Sequence, residues 1–273
     1  MSEIICDICF HHCHLKEGKT GLCRARKNID GINVCANAGR LTSLALDPIE
    51  KKPLARYYPG SYILSAGSYG CNLSCGFCQN YSISMTDESS VRWQYFSAEE
   101  LAEIILRAEN SLGIAFTYNE PLISYEYIID VSKRIRPYGK KTVLVSNGTC
   151  ERHVLEKIMP YVDAMNIDLK GNDVFYRELG GDYQAVKNTI AYVYDKCHLE
   201  VTTLVVPGKN DDTGWMEQEA EWLASLDENI VLHVSRYFPR FHYTIPATEK
   251  ETVLNMQKAA QKYLKYVYTG NLW

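Results

Sequence analysis

Three cysteines in the stretch Cys71-Asn72-Leu73-Ser74-Cys75-Gly76-Phe77-Cys78 follow the spacing C-x3-C-x2-C. No other feature restricts so tightly what this chain can fold into. Three thiolates this close, with no fourth cysteine beside them, suit a [4Fe–4S] cluster with one iron left open, whereas most protein-bound clusters take four cysteines. An open iron binds a small ligand much as the open position of a catalytic zinc does. Gly70 before the first cysteine permits the tight loop that such a cluster needs, and an aromatic, Phe77, precedes the third. A zinc site that borrows its remaining ligand from elsewhere is the plainer alternative at this spacing.

The 273 residues are enough for one large α/β domain with a small appendage. A formal net charge of −4 gives no electrostatic reason to expect a nucleic-acid partner. The N-terminus Met1-Ser2-Glu3-Ile4-Ile5-Cys6 has no basic region followed by a long apolar run, so no signal peptide is expected. No stretch approaches the roughly 20 apolar residues of a membrane span. The expectation is a cytoplasmic protein without membrane contact. The ten cysteines then read as metal ligands or redox groups rather than disulfides. Cys35, Cys150 and Cys197 stand alone and read as small hydrophobes.

Residues 1–60 form a Cys-rich segment with short β-like runs (32–35 and 41–46), punctuated by Gly and Pro and short of apolar material for a core of its own. Residues 61–273 alternate instead. Strand-like runs at 62–66, 114–118, 142–145, 164–169, 199–206 and 230–234 are separated by helical patterns. Ser97 with Glu100 reads as a capping box, and Thr248 with Glu251 reads as another. Six alternations argue for a parallel sheet and fall short of the eight that close a TIM barrel. The expected fold is therefore a partial, open (β/α)6 TIM-like barrel with a small Cys-rich N-terminal metal-binding segment. The cysteine loop follows the first strand, at the barrel mouth where βα loops bear chemistry. No repeat or low-complexity tract is present.

The motifs Asp47-Pro48-Ile49-Glu50-Lys51-Lys52-Pro53, Tyr58-Pro59-Gly60-Ser61, Gly70 through Asn80, Thr117-Tyr118-Asn119-Glu120-Pro121, Asn166-Ile167-Asp168-Leu169-Lys170 and His233-Val234-Ser235-Arg236-Tyr237-Phe238-Pro239 occur in order. Together they resemble the radical S-adenosylmethionine (SAM) enzymes of the AmmeMemoRadiSam system, relatives of the pyruvate formate-lyase activating enzyme. The resemblance implies that Cys71, Cys75 and Cys78 are the catalytic ligands of a [4Fe–4S] cluster. It implies that SAM binds the open iron and is cleaved reductively to methionine and a 5′-deoxyadenosyl radical. It implies an oxygen-sensitive oxidoreductase or modifying enzyme, with an electron donor such as flavodoxin or ferredoxin. The substrate is open; a protein or peptide is one expectation, and glycyl-radical enzyme activation is one option within the class. A non-catalytic Fe–S or zinc protein for electron transfer or partner binding is the alternative.

Candidate cofactor-binding residues follow the strand ends. Phe77 adjoins the cysteines. Related enzymes have a Gly-Gly-Glu segment for the SAM amino group where this chain has Tyr118, Asn119 and Glu120; Asn119 and Glu120 still offer acceptors for an ammonium. Ser146-Asn147-Gly148 resembles the Thr-Asn-Gly near the SAM site of activating enzymes, and an ordinary βα turn is the other reading. Asp168 and Lys170 alternate onto one side of a strand; the resemblance gives Lys170 the SAM carboxylate and Asp168 the ribose hydroxyls, against a simple ion pair. His233 matches a histidine near adenosine, against a satisfied core histidine. Val205-Val206-Pro207-Gly208 resembles a pocket-shaping turn.

The second cluster, Cys6-x2-Cys9-x3-Cys13-x9-Cys23, reads as a bound metal: structural zinc by preference, or an auxiliary Fe–S cluster. His11, His12 and His14 lie between the ligands. The resemblance implies further cysteines in a C-terminal extension, and the sequence ends at Trp273 without them, so a site shared between the two ends is not expected. Arg236, Tyr237 and Arg240, interleaved with aromatics after the sixth strand, are candidate substrate contacts. Asp47, Glu50, Lys51 and Lys52 read as a surface ion-pair cluster. Lys133, Arg134, Arg136, Lys140 and Lys141 read as a solvated helix end.

Overall fold

The alternation of apolar runs with helical patterns does produce a parallel sheet. In a computed structural model that describes residues 3–272, eight strands form one sheet. They are β1 (Ser43–Pro48), β2 (Tyr62–Gly67), β3 (Ser111–Phe116), β4 (Lys141–Ser146), β5 (Ala164–Asp168), β6 (His198–Val205), β7 (Val231–Arg236) and β8 (Tyr266–Gly270). Met1 and Ser2 of the expected N-terminus, and Trp273 at the other end, lie outside the described residues.

From β2 to β8 every neighbouring pair is parallel, and β1 pairs antiparallel with β2. The six expected strands are present at close to their expected bounds. A seventh parallel strand, β8, was hidden by its polar alternation, Tyr-Val-Tyr-Thr-Gly, which buries only Val267. The sheet also reaches into the Cys-rich segment, because β1 belongs to residues 1–60. The remainder of that segment forms two small hairpins, Ile4–Ile5 with His14–Leu15 and Arg26–Ile29 with Ile32–Cys35.

Amphipathic helices cover the outer face. The helix Ala98–Arg107 opens with the expected capping box at Ser97 and Glu100. Tyr125–Ile135 ends before Pro137, with Gly139 in the left-handed conformation. The second expected capping box does not form. The helix is Lys250–Ala260, and its cap residue is Glu249. Thr248 is buried, and its hydroxyl donates to the Val205 carbonyl (2.6 Å). A strand-end acceptor thus takes the side chain that a cap would have used.

Alternation along the strands divides outer from inner residues. Val201 and Val205 of β6 pack into the large outer core with the helices, while Glu200 and Thr202 face polar partners on β5 and β7. A separate cluster of Ile49, Leu54 and Tyr57 with Ile63, Ala115, Val143 and Ala164 fills the inner side of β2–β5 near their starts. The segment 49–57 therefore inserts into the barrel as a floor. Its backbone is tied to the barrel: Pro53 accepts from Asn166 Nδ2 (2.8 Å), and the Ala55 and Arg56 amides donate to the Glu200 carboxylate (2.9 and 2.8 Å).

The ion-pair cluster expected at the surface is half buried in this floor. Glu50 and Lys51 are exposed, but Lys52 is 2% exposed. Its ammonium meets Asp47 Oδ2 at 3.0 Å and sits over the Tyr118 ring. Charge alone made these residues look like surface; Asp47 and the Tyr118 ring supply the partners that let a lysine be buried.

Candidate active site

Strand ends and the loops that follow them build the mouth. Cys71, Cys75 and Cys78 line one cavity of about 290 Å³ together with Phe77, Asn119, Glu120, Ser146, Asn147, Asp168 and Lys170. The ends of four strands, β2 to β5, thus bring together residues that lie far apart in sequence. Pro53, Thr117, Tyr118 and Ser235, from motifs already quoted, also line the cavity, and so do Thr202, Leu204 and Asn271, which sequence reasoning passed over. Thr202 and Leu204 continue the inward face of Glu200, and Ser235 that of His233, so alternation was a signal that could have found them.

The cysteine loop is held on both flanks. Gly70 has φ +86°, and a Cβ there would stand 2.4 Å from the Cys23 carbonyl oxygen, so only glycine fits. Asn119 accepts from the Ser68 amide (3.0 Å) and donates to the Gly70 carbonyl (3.2 Å). On the other flank the His242 amide donates to the Gly76 carbonyl (2.8 Å). Phe77 is buried among Phe175, Tyr237 and Tyr243.

Glu120 occupies the last position of the expected amino-group segment, but its carboxylate is already committed. Oε1 accepts from Ser146 Oγ (2.7 Å) and the Leu122 amide (2.9 Å), and Oε2 from the Asn147 amide (2.8 Å). Burial pushes its pKa up to about 7 against these bonds. Tyr118 takes the place of the first glycine of the Gly-Gly-Glu segment and keeps a left-handed backbone, φ +74°. Such a backbone costs a non-glycine residue on the order of 1 kcal/mol; the bond from its hydroxyl to Asp47 Oδ2 (2.8 Å) and the Lys52 cation over its ring hold it there.

Asp168 and Lys170 stand on the same side and pair at 2.8 Å. Burial disfavours the Lys170 ammonium, but Asp168 and then the Cys75 sulfur hold it well above the usual lysine range. Burial likewise pushes the Cys75 thiol up to about 11, against the pull of Lys170, and Cys71 higher still. Buried thiols of this kind give up their protons to a metal. The Cys71 sulfur receives the Leu73 amide (3.4 Å) and lies 3.6 Å from Asn147 Nδ2. A soft three-thiolate donor set, N–H groups on a sulfur and a roomy cavity beside a buried cation fit a [4Fe–4S] cluster with one open iron.

Four expected contacts, His233, Arg236, Tyr237 and Arg240, are not in the cavity lining. His233 turns its Nε2 to Glu200 Oε2 (2.6 Å), two residues nearer the floor. Glu200 also accepts from His198 (2.8 Å) and two backbone amides, which makes His233 part of the floor's polar layer. Tyr237, a candidate substrate contact, is 1% exposed; it is packed on Phe77, and its hydroxyl donates to main-chain carbonyls of its own loop. Arg236 is tied through Nε to the Thr248 carbonyl (2.6 Å) and lies over Phe238. Of the three, Arg240 is exposed.

The N-terminal cysteines gather beside the mouth. The Cys6 amide donates to the Cys13 carbonyl (2.9 Å), and Cys9 pairs through its backbone with Cys150. Burial pushes the Cys9 thiol up to about 12, with Cys23 and Cys6 near enough to add to the effect. Asn33 Nδ2 donates to the Cys6 sulfur and the Arg26 amide to the Cys23 sulfur (both 3.4 Å). Among the described residues, no three or more His, Cys, Asp and Glu side chains converge closely enough to hold a single ion, so the preferred zinc site is not preformed. Of the intervening histidines, His11 bonds the Asn72 carbonyl, His12 meets Glu151 and His14 meets Glu3.

A parallel α/β sheet with a three-cysteine loop after its first parallel strand and a buried cation just past the end of β5 fits a SAM-dependent iron–sulfur enzyme. The model of the radical SAM superfamily matches residues 66–217, and the chain belongs to that superfamily. An uncharacterized protein of Methanocaldococcus jannaschii is 38% identical over 99% of this chain and 82% of its own length. A second protein of that organism, named provisionally as a glycyl-radical enzyme activating enzyme, is 24% identical over 73% of this chain and 85% of its own length. The crystal structure of Streptococcus suis SuiB bound to precursor peptide SuiA shares the fold, with a TM-score of 0.56 at 12% identity over 75% of this chain and 47% of that one. The electron-carrier alternative falls with the family assignment. Among the described residues no helix is long and apolar enough to cross a membrane.

Proposed function

We propose that this radical SAM enzyme acts on a protein or peptide, taking a hydrogen atom from a C–H bond presented at the barrel mouth. The observation that supports it most is the shared cavity, in which three cysteines, the Asp168–Lys170 pair and the 146–147 turn face one space. Cys71, Cys75 and Cys78 would hold a [4Fe–4S] cluster, and the cluster with bound SAM would supply the one-electron chemistry that removes the hydrogen. The chain's residues do the rest. Lys170 offers a buried cation to the SAM carboxylate. Asp168, paired with it, faces the ribose hydroxyls. Glu120 orients the Asn147 turn, and the floor at 49–57 excludes water from below.

The macromolecular substrate rests on two likenesses, the relative named for activating a glycyl-radical enzyme and the peptide-bound SuiB structure. The rim agrees with it: Tyr81 and Phe241 stack at 4.5 Å and are both exposed, with Arg240 on the same loop as Phe241. An electron donor of the flavodoxin or ferredoxin type completes the reaction, and the N-terminal cysteines hold a metal–thiolate centre, as the N–H groups on the Cys6 and Cys23 sulfurs favour.

The test is anaerobic reconstitution, reduction and assay for 5′-deoxyadenosine. Production of deoxyadenosine, with deuterium transferred into it from a labelled peptide library, is the expected result. Deoxyadenosine formed with deuterium taken only from small metabolites would overturn the peptide reading. No SAM cleavage by a fully loaded protein would overturn the reading as a whole.

A further inference from the structure

The hairpin Arg26–Ile29 with Ile32–Cys35 has two unlike faces. Cross-strand partners share a face in an antiparallel pair. The register therefore puts Arg26 and Cys35 on one side, and Lys27 with Val34 and Ile29 with Ile32 on the other. The first side is turned to the barrel: Arg26 Nε donates to the Ile123 carbonyl (2.6 Å), and the Cys35 sulfur lies 3.5 Å from the same oxygen. The second side is turned to solvent. Ile32 is 64% exposed, Ile29 is exposed beside it, and Thr20 joins that side by pairing with Lys27. Leu22, two residues on, is exposed as well.

This surface is basic. Residues 16–27 hold Lys16, Lys19, Arg24, Arg26 and Lys27 against one acid, Glu17, in a chain of net charge −4. Arg26 is committed to Glu126, while Lys16 and Lys19 are exposed and Arg24 and Lys27 half-buried. The turn that carries these cations reaches the cysteine loop of the barrel. The Cys23 carbonyl packs on Gly70, Arg24 Nη1 donates to the Cys71 carbonyl (3.3 Å), and nearby His11 Nε2 bonds the Asn72 carbonyl (2.8 Å). The opposite flank of that loop is held by the His242 and Tyr243 amides, which donate to the Gly76 carbonyl (2.8 and 3.1 Å). That flank belongs to the rim where substrate is proposed to lie.

We propose that the outer face of this hairpin, with the basic run 16–27 around it, is the docking surface of an acidic one-electron carrier protein. The electron then passes across the turn at Cys23 and Arg24 to the three cysteines and the cluster they would hold. This rests on the proposed reductive use of SAM. The step is a single electron transfer: the carrier is oxidised, the cluster is reduced, and no bond is made or broken. An apolar centre at Ile29 and Ile32 with cations around it has the make-up of a protein interface. The cations steer an acidic partner to the one side of the cysteine loop that leaves the mouth clear.

The experiment compares protein and chemical reductants on the reconstituted full chain. A ferredoxin and a flavodoxin, each with its reductase, drive SAM cleavage in one series, and dithionite with methyl viologen drives it in the other. Lys19→Glu with Lys27→Glu is expected to raise the KM for the carrier about tenfold at low salt and to flatten its salt dependence. Ile32→Asp is expected to raise it several-fold. The dithionite-driven rate and the melting curve should keep their natural values in both variants. Hydrogen–deuterium exchange gives a readout apart from activity: the carrier should protect the backbone within residues 19–34. An unchanged KM in both variants, or protection at 236–248 instead, overturns the docking surface. Cleavage with dithionite but with neither carrier refutes the docking surface alone, whereas no cleavage with dithionite by the fully loaded chain refutes the reading on which it rests.

Discussion

The two cysteine regions hold their thiols in opposite ways. Cys71, Cys75 and Cys78 sit on a loop that leaves β2, the strand next to the β1 edge of the sheet, so the sheet positions them around one cavity. Cys6, Cys9 and Cys13 lie in the loop of a two-residue hairpin and Cys23 in the turn before a four-residue one, with little core of their own. There the order comes from attachments: the buried Arg26 donates through Nε to the Ile123 carbonyl (2.6 Å) and pairs with Glu126, and His11 and Arg24 reach the cysteine loop of the barrel. A scaffolded site tolerates the loss of its metal as a structure. An attached one gains order from any metal it binds.

The comparison breaks most visibly by substitution of single cysteines. Cys75→Ala is expected to abolish SAM cleavage and empty the mouth of iron while leaving the thermal midpoint near its natural value; iron analysis, product assay and a melting curve check all three. Cys6→Ser with Cys9→Ser is expected to do the reverse in stability, lowering the midpoint by roughly 5–10 °C at about 2–4 °C per kcal/mol for a chain of this size. Sequence reasoning has SAM cleavage surviving this double change, since the barrel is built from later residues. The clamps on Gly70, Cys71 and Asn72 predict that cleavage falls, and a cleavage rate equal to the natural one would show the two regions to be independent.

Acid tests the floor that joins them. Burial would raise the pKa of Glu200, but bonds from His198, His233 and the Arg56 and Ala55 amides bring it down from 4.5 to about 2. A depressed carboxylate contributes stability above its unfolded pKa and loses it as pH falls through the folded value. The window is therefore pH 4.5 down to about 2, and the loss is on the order of 3 kcal/mol. Chemical denaturation across that window should show a slope that Glu200→Gln flattens. The smallest effect is at the mouth. Lys170→Ala should weaken SAM binding by roughly 1.5–3 kcal/mol, the worth of a charged hydrogen bond, with iron content unchanged. Equal affinities by calorimetry would assign Lys170 to Asp168 alone.

The mouth was legible because its residues obey local rules. Spacing marks Cys71, Cys75 and Cys78, and alternation puts Asp168 beside Lys170. The residues that were misread depend on partners distant in sequence. His233 turns to Glu200, an acid that nothing in its own strand marks as buried. Tyr237 is buried by Phe77, and Thr248 gives up its cap to a carbonyl of β6. Lys52 is charged and flanked by charge, and only the fold shows Asp47 and Tyr118 closing on it. The strand β1 and the plug behind it were read as appendage because their apolar residues are few; Ile49, Leu54 and Tyr57 find their core inside the barrel.

That plug closes the chamber from below. With Ile49, Leu54 and Tyr57 seated across the lower end, no passage runs through it. On the proposed reading, SAM would have to be in place before a large partner covers the rim, and methionine and deoxyadenosine would stay behind that partner until it departs. A short peptide and a folded protein carrying the same reactive residue would accordingly differ less in how well they are attacked than in how fast the chamber empties afterwards.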